Sequence, residues 1–181
     1  MIDVAVQVEP DWLAAGDAEA GTESAWEALA ERAVRAALAV TPDAGLAAGD
    51  TMVEVSVRLA GDAEVHDLNL SYRQKDKPTN VLSFPMLPPD LIAAIASADT
   101  NTDDGEVLLG DIILAHGVCA AEAAEKGVSL GAHASHLIVH GLLHLLGYDH
   151  QDAAQADAME ALEGEAMAAL GLHAPYHRDE P

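Results

Sequence analysis

From Met52 to Leu59 apolar and polar residues alternate strictly (Met-Val-Glu-Val-Ser-Val-Arg-Leu), the period-two pattern of a strand with one buried face. Ile2 to Val8 alternates in the same way and predicts a second strand. Between them the period changes to that of a helix. Thr22 can cap a run through Trp26, Leu29, Val34 and Leu38 to about Val40, with Pro42 just beyond its end. Asp11–Gly21 reads as a loop, and Asp43–Asp50 as a Gly/Ala-rich connection. Gly61-Asp62 opens a helix carrying Val65, Leu68 and Leu70 and ending near Tyr72. Asn80–Phe84 predicts a short strand stopped by Pro85. Leu87–Glu106 holds Pro88-Pro89 and an acidic tract, and reads as a loop with one helical turn at Leu91–Ile95. Val107–Leu114 is an apolar strand interrupted by Gly110-Asp111. Three helices follow, at about His116–Lys126, Ala132–Leu146 and Asp152–Leu170, with Gly127, Gly147 and Gly171 where C-terminal caps belong. Strands precede most of the helices, so the expectation is an α+β fold: a single mixed sheet of about four strands with the C-terminal helices packed on one face.

The length, 181 residues, suits a single domain over 1–181, and 50% apolar residues can build a core. Charge changes the picture more. Against 31 Asp+Glu stand 8 Lys+Arg, a formal net charge of −23. Such a field repels nucleic acid at long range and excludes a broad basic binding surface. Any RNA contact must be local, and Arg73, Lys75 and Lys77 place three of the few basic groups together. One cysteine excludes an internal disulfide and a Cys-rich zinc site, and Cys119 reads as a small buried apolar residue. Residues 1–9 lack a basic n-region and an apolar h-region, and no apolar run approaches the ~18–20 residues of a membrane span. A cytoplasmic location is expected, with neither DNA nor a membrane as partner.

The candidate chemistry lies in the histidines. His140 and His144 are four apart on a predicted helix, so both imidazoles leave one face a turn apart and can converge on one Zn²⁺. His136 shares that face but lies eight residues from His144, roughly 12 Å along a straight helix, too far to join the same ion. It either lines the site or bonds a carbonyl. His150 is better placed, because Gly147 can end the helix and turn the chain back. The spacing resembles the metzincin zinc pattern with one departure. Metzincins carry Glu after the first histidine as general base, and here that position is Gly141. The missing base argues against a peptide substrate.

Leu68-Asn69, Tyr72-Arg73, Lys75-Asp76-Lys77-Pro78-Thr79-Asn80-Val81-Leu82-Ser83-Phe84-Pro85, then Leu109-Gly110-Asp111-Ile112, then the His136–His150 run, together resemble the YbeY-like proteins in order and spacing. The resemblance spans about Val53 to Leu172; residues 1–50 match only in strand-then-helix order. It implies a metal-dependent, single-strand-specific endoribonuclease that acts in ribosomal RNA maturation, including 16S rRNA 3′-end processing, and in small-subunit quality control. The expected metal is one Zn²⁺ per chain held by His140, His144 and His150. The expected partners are ribosomal RNA precursor and the small ribosomal subunit. The resemblance also assigns a catalytic role to Arg73, beside His140 and His144. A planar, permanently charged guanidinium suits a phosphodiester and can offset its transition-state charge. The general base stays unassigned, with metal-activated water the simplest candidate. RNA binding confined to the metal, Arg73 and Lys75/Lys77 implies a shallow salt dependence.

Other residues keep two readings. Thr79–Phe84 is an edge strand with Ser83 facing substrate, or a buried strand serving the core. Asp111 orients a zinc histidine or caps the following helix. Asp149 reads as a turn former. Met159, Leu162, Met167 and Leu170 have core spacing, with a methionine floor beneath the metal as the alternative. Two competing functions remain at this level: a metallohydrolase of another substrate, and a non-catalytic ribosome-assembly factor whose zinc only fixes the fold.

Overall fold

The computed structural model of the chain describes residues 1–13, 22–97 and 106–176. Strands β1 (Ile2–Val8), β2 (Met52–Ala60), β3 (Val81–Pro85) and β4 (Glu106–Ala115) form one mixed sheet in the order β1-β2-β4-β3. β1 runs parallel to β2, β2 parallel to β4, and β3 antiparallel to β4 at the sheet edge. The helices are α1 (Pro10–Leu13), α2 (Glu23–Ala39), α3 (Asp62–Arg73), α4 (Pro89–Ala96), α5 (His116–Lys126), α6 (Leu130–Leu145) and α7 (Ala153–Ala169). This is the expected α+β architecture. No helix among the described residues is long and apolar enough to cross a membrane.

The alternating strands explain the layering. Val53, Val55, Val57 and Leu59 of β2, with Leu109, Ile112 and Leu114 of β4, bury one face of the sheet against α2 and α6, and α7 packs on those two helices. On the other face a smaller cluster of Val65, Leu82 and Ile113 packs with Leu68 and Phe84 beneath α3. α6 touches neighbours all round, which is why it reads as apolar on every side. Its first turn is capped by the Ser129 hydroxyl, which accepts from Ala132 N at 3.0 Å. The helix therefore starts two residues before the predicted Ala132.

Three local expectations change. Part of the predicted Asp11–Gly21 loop is the turn α1, which buries Trp12. The Trp12 indole donates to Ala60 O at 2.8 Å, and Trp26 donates to Trp12 O at 3.1 Å. Residues 14–21 of that loop, and 98–105 of the predicted Leu87–Glu106 loop, lie outside the described residues. The single turn expected at Leu91–Ile95 is a full helix, because Pro89 occupies its first turn, where a missing N–H costs nothing. The Gly110-Asp111 interruption is a bulge inside a continuous β4: Glu54 pairs with Leu108 and Val55 with Gly110, which leaves Leu109 without an opposite residue. A Cβ on Gly110 would lie 2.5 Å from Phe84 O and 2.6 Å from the Leu145 side chain. Glycine here lets α6 press on the β3–β4 edge, where the site is built.

Candidate metal centre

α6 packs against edge strand β3, and its His140 and His144 line one cleft with that strand. Beyond it, Gly147 N–H bonds His144 O at 3.0 Å and Tyr148 N–H bonds Leu143 O at 3.0 Å, the two bonds of a Schellman cap. Gly147 takes φ 103°, a left-handed conformation that L side chains resist. The chain reverses there and brings His150 back over the helix end. One ring nitrogen from each of His140, His144 and His150 falls within 4.8 Å of the others. The two Nε2 atoms of His140 and His144 are 3.1 Å apart. Two ligands at ~2.0–2.1 Å from one tetrahedral ion are separated by about 3.3 Å, so the pair fits a zinc-sized cation.

The protonation states suit ligation as well. His140 Nδ1 lies 2.6 Å from Glu163 Oε1. A carboxylate only accepts, so Nδ1 carries the proton and Nε2 keeps its lone pair for the shared point. Burial, and then the neighbouring His140 and His150, hold the His144 imidazole below its ordinary pKa and favour its neutral, ligating form.

Glu163 is the residue missing from the sequence expectation. It sits on α7, is 0% exposed, and accepts from both His140 and His136, the latter at 3.3 Å. Burial alone would raise its pKa; hydrogen bonds from His136 and His140 outweigh burial and pull it to about 2. His136 thus bonds a carboxylate, not a carbonyl, and stands behind the three-histidine group. Burial and the neighbouring Glu163 carboxylate also push the Tyr176 phenol up. The carboxylate that steadies a candidate ligand is Glu163 and not Asp111, which lies within β4 opposite Phe84. Nor does Asp111 cap α5, whose N-cap is Ala115. A signal existed: Glu163 stands one turn from both Met159 and Met167 on the buried side of α7, an acid on an apolar stripe. Both methionines belong to the main core. Glu163→Gln is expected to weaken zinc binding by about 10–100-fold in a chelator competition titration. Unchanged affinity would show that His140 needs no such support.

The histidines open onto a cleft of about 710 Å³. Its lining also includes Arg73 and the edge strand, so Thr79–Phe84 is an edge strand that lines the cleft. Ser83 and Asp149 also border it. Leu82 and Phe84 also pack with the smaller core, so both readings of this strand hold. Arg73 ends α3 and is exposed, and Gln74 follows in a left-handed turn at φ 59°. Buried Asn69 secures the loop beyond: its side-chain amide donates to Lys77 O at 2.8 Å and its backbone carbonyl accepts from Lys75 N at 3.2 Å. Lys75 and Lys77 are exposed on this loop, outside the cleft lining.

The structure also gives a reason for the absent glutamate. A Cβ on Gly141 would lie 2.8 Å from Ile112 Cγ2 and 3.1 Å from Ser83 Oγ. The position after the first histidine is pressed against the sheet, and a side chain there would force Ile112 and Ser83 to shift. Cys119 is buried, and burial raises its thiol pKa, in line with a packing role.

Comparison with known proteins agrees with this picture. A family model described as Endoribonuclease YbeY matches residues 16–171. The chain is 59% identical over 176 residues to Endoribonuclease YbeY of Rhizorhabdus wittichii, covering 97% of each chain. It is 61% identical over 151 residues to the protein of the same name from Sphingopyxis alaskensis, covering 83% of this chain and 88% of that one. A solution structure of TM1509 from Thermotoga maritima aligns over 98% of this chain and all of that one, with a TM-score of 0.50 and 21% identity, a likeness of fold. With its histidine group, its cleft and these relatives taken together, the chain belongs to the endoribonuclease YbeY family.

Proposed function

We propose that this protein, as one domain over 1–181, is a Zn²⁺-dependent, single-strand-directed endoribonuclease that matures ribosomal RNA precursor on the small ribosomal subunit, in the cytoplasm. The observation that carries the reading is the meeting of three imidazole nitrogens within 4.8 Å, in one cleft with Arg73. His140, His144 and His150 would hold the ion and, with only three protein ligands, leave a coordination position for substrate or water. When bound, zinc supplies Lewis acidity toward a phosphoryl oxygen and lowers the pKa of water. Arg73 binds the phosphate with two parallel hydrogen bonds and offsets the charge that grows on it. Glu163 keeps the His140 ring in one tautomer and orientation. Gly141 leaves no peptidase base beside His140, which supports phosphodiester over peptide hydrolysis.

The net charge of −23 shapes how RNA can bind. Charge attraction is confined to the metal, Arg73 and the neighbouring Lys75 and Lys77, so cleavage efficiency should fall only shallowly with salt. The direct test strips the protein with a chelator and assays a single-stranded RNA before and after zinc is restored. Cleavage should vanish and return with about one equivalent of zinc. Full activity in metal-free protein would refute the proposal.

A further inference from the structure

The chain is poor in aromatic residues, and their placement is uneven. It has two tryptophans, three tyrosines and one phenylalanine. Trp12 and Trp26 are core residues, yet Tyr72, Phe84 and Tyr148 all line the cleft beside the histidines. Phe84 and Tyr148 are partly buried and pack against core clusters. Tyr72 does not: it is 69% exposed. Its ring meets Phe84 at 5.3 Å between centroids and 62°, an edge contact that braces the ring. It presents its ring to solvent at the end of α3, next to Arg73.

We propose that Tyr72 is the stacking platform for an unpaired nucleobase adjoining the phosphate held by Arg73. The inference rests on the nuclease reading above and adds to it the residue that selects single strands. In a duplex every base is already stacked on its neighbours and none can lie on a tyrosine without unpairing. A base in a flexible single strand can, and any base will serve because each has a π-face. Stacking also meets the need set by the charge of the chain. It draws on no counterion release, so it supplies affinity that the acidic surface does not oppose. Tyr72 and Arg73 are consecutive, so base and phosphate of one nucleotide region are read by one helix end.

The test uses zinc-loaded protein and a short single-stranded oligoadenylate carrying 2-aminopurine. Tyr72→Ala should raise KM by about 10–100-fold and leave kcat within about threefold, the signature of lost uniform binding. Tyr72→Phe and Tyr72→Trp should restore KM, since both keep a stacking ring. The 2-aminopurine fluorescence should be quenched on binding to the wild type and not to Tyr72→Ala. The KM ratio of Tyr72→Ala to wild type should stay constant as salt rises. Wild-type cleavage with an unchanged KM in Tyr72→Ala overturns the platform alone. A wild type that neither binds nor cleaves the RNA overturns the nuclease reading, and the platform with it. Exposure of Tyr72 keeps the variant folded, and equal melting temperatures will show it.

Discussion

His144→Ala is expected to strip the protein of its metal while leaving the fold in place. A complete four-ligand zinc site is worth about 10–16 kcal/mol, or roughly 2.5–4 kcal/mol per ligand, so losing one imidazole should weaken binding by about 10²–10³-fold. The loss is compounded because His140 and His150 alone cannot enclose an ion. His144 is half-buried near the end of α6, and the helix is held by packing on the sheet and by the Gly147 cap, neither of which needs the ring. Elemental analysis after gel filtration should find about one zinc in the wild type and less than a tenth of that in the variant. Cleavage should disappear with the metal. Retention of full zinc would remove His144 from the ligand set.

Arg73→Ala should behave in the opposite way, keeping the metal and losing the reaction. Arg73 is exposed at the end of α3, lines the cleft and belongs to neither core cluster, so its removal leaves the histidine group and the core in place. Removing one preorganised charge donor from a transition state typically costs about 10²–10³ in rate, and kcat/KM on single-stranded RNA should fall by that factor. Arg73→Lys should recover only part of it, because an ammonium cannot form the two parallel bonds of a guanidinium. Zinc content should equal that of the wild type. A variant that cleaves within about threefold of wild type would assign Arg73 to the surface, where the helix C-terminus alone favours a cation.

What the sequence disclosed, and what it hid, follows from the range of each interaction. The alternation in β1 and β2 and the glycines after α5, α6 and α7 are local signals, and the structure places those elements within a few residues of expectation. The same locality let the His140–His144 spacing and the Gly147 turn be read as one arrangement, and in the structure the three rings do converge. Glu163 was hidden because its meaning depends on α7 lying beside α6, a packing that no window of sequence contains. Trp12 was lost in a Gly/Asp-rich stretch, where a single turn is set by its indole reaching Ala60 O across the chain. Gly141 looked like a missing base. Its distance to Ile112 shows it is also a packing requirement of the sheet, which is visible only once α6 and β4 are brought together.

The claim beneath all of this is that His140, His144 and His150 surround one divalent cation. X-ray absorption at the zinc edge on the loaded wild-type protein tests it most directly. An inner sphere with about three imidazole nitrogens at ~2.0–2.1 Å, losing one imidazole in His150→Ala, is the predicted result. An inner sphere without imidazole, or a spectrum that His150→Ala leaves unchanged, would contradict it.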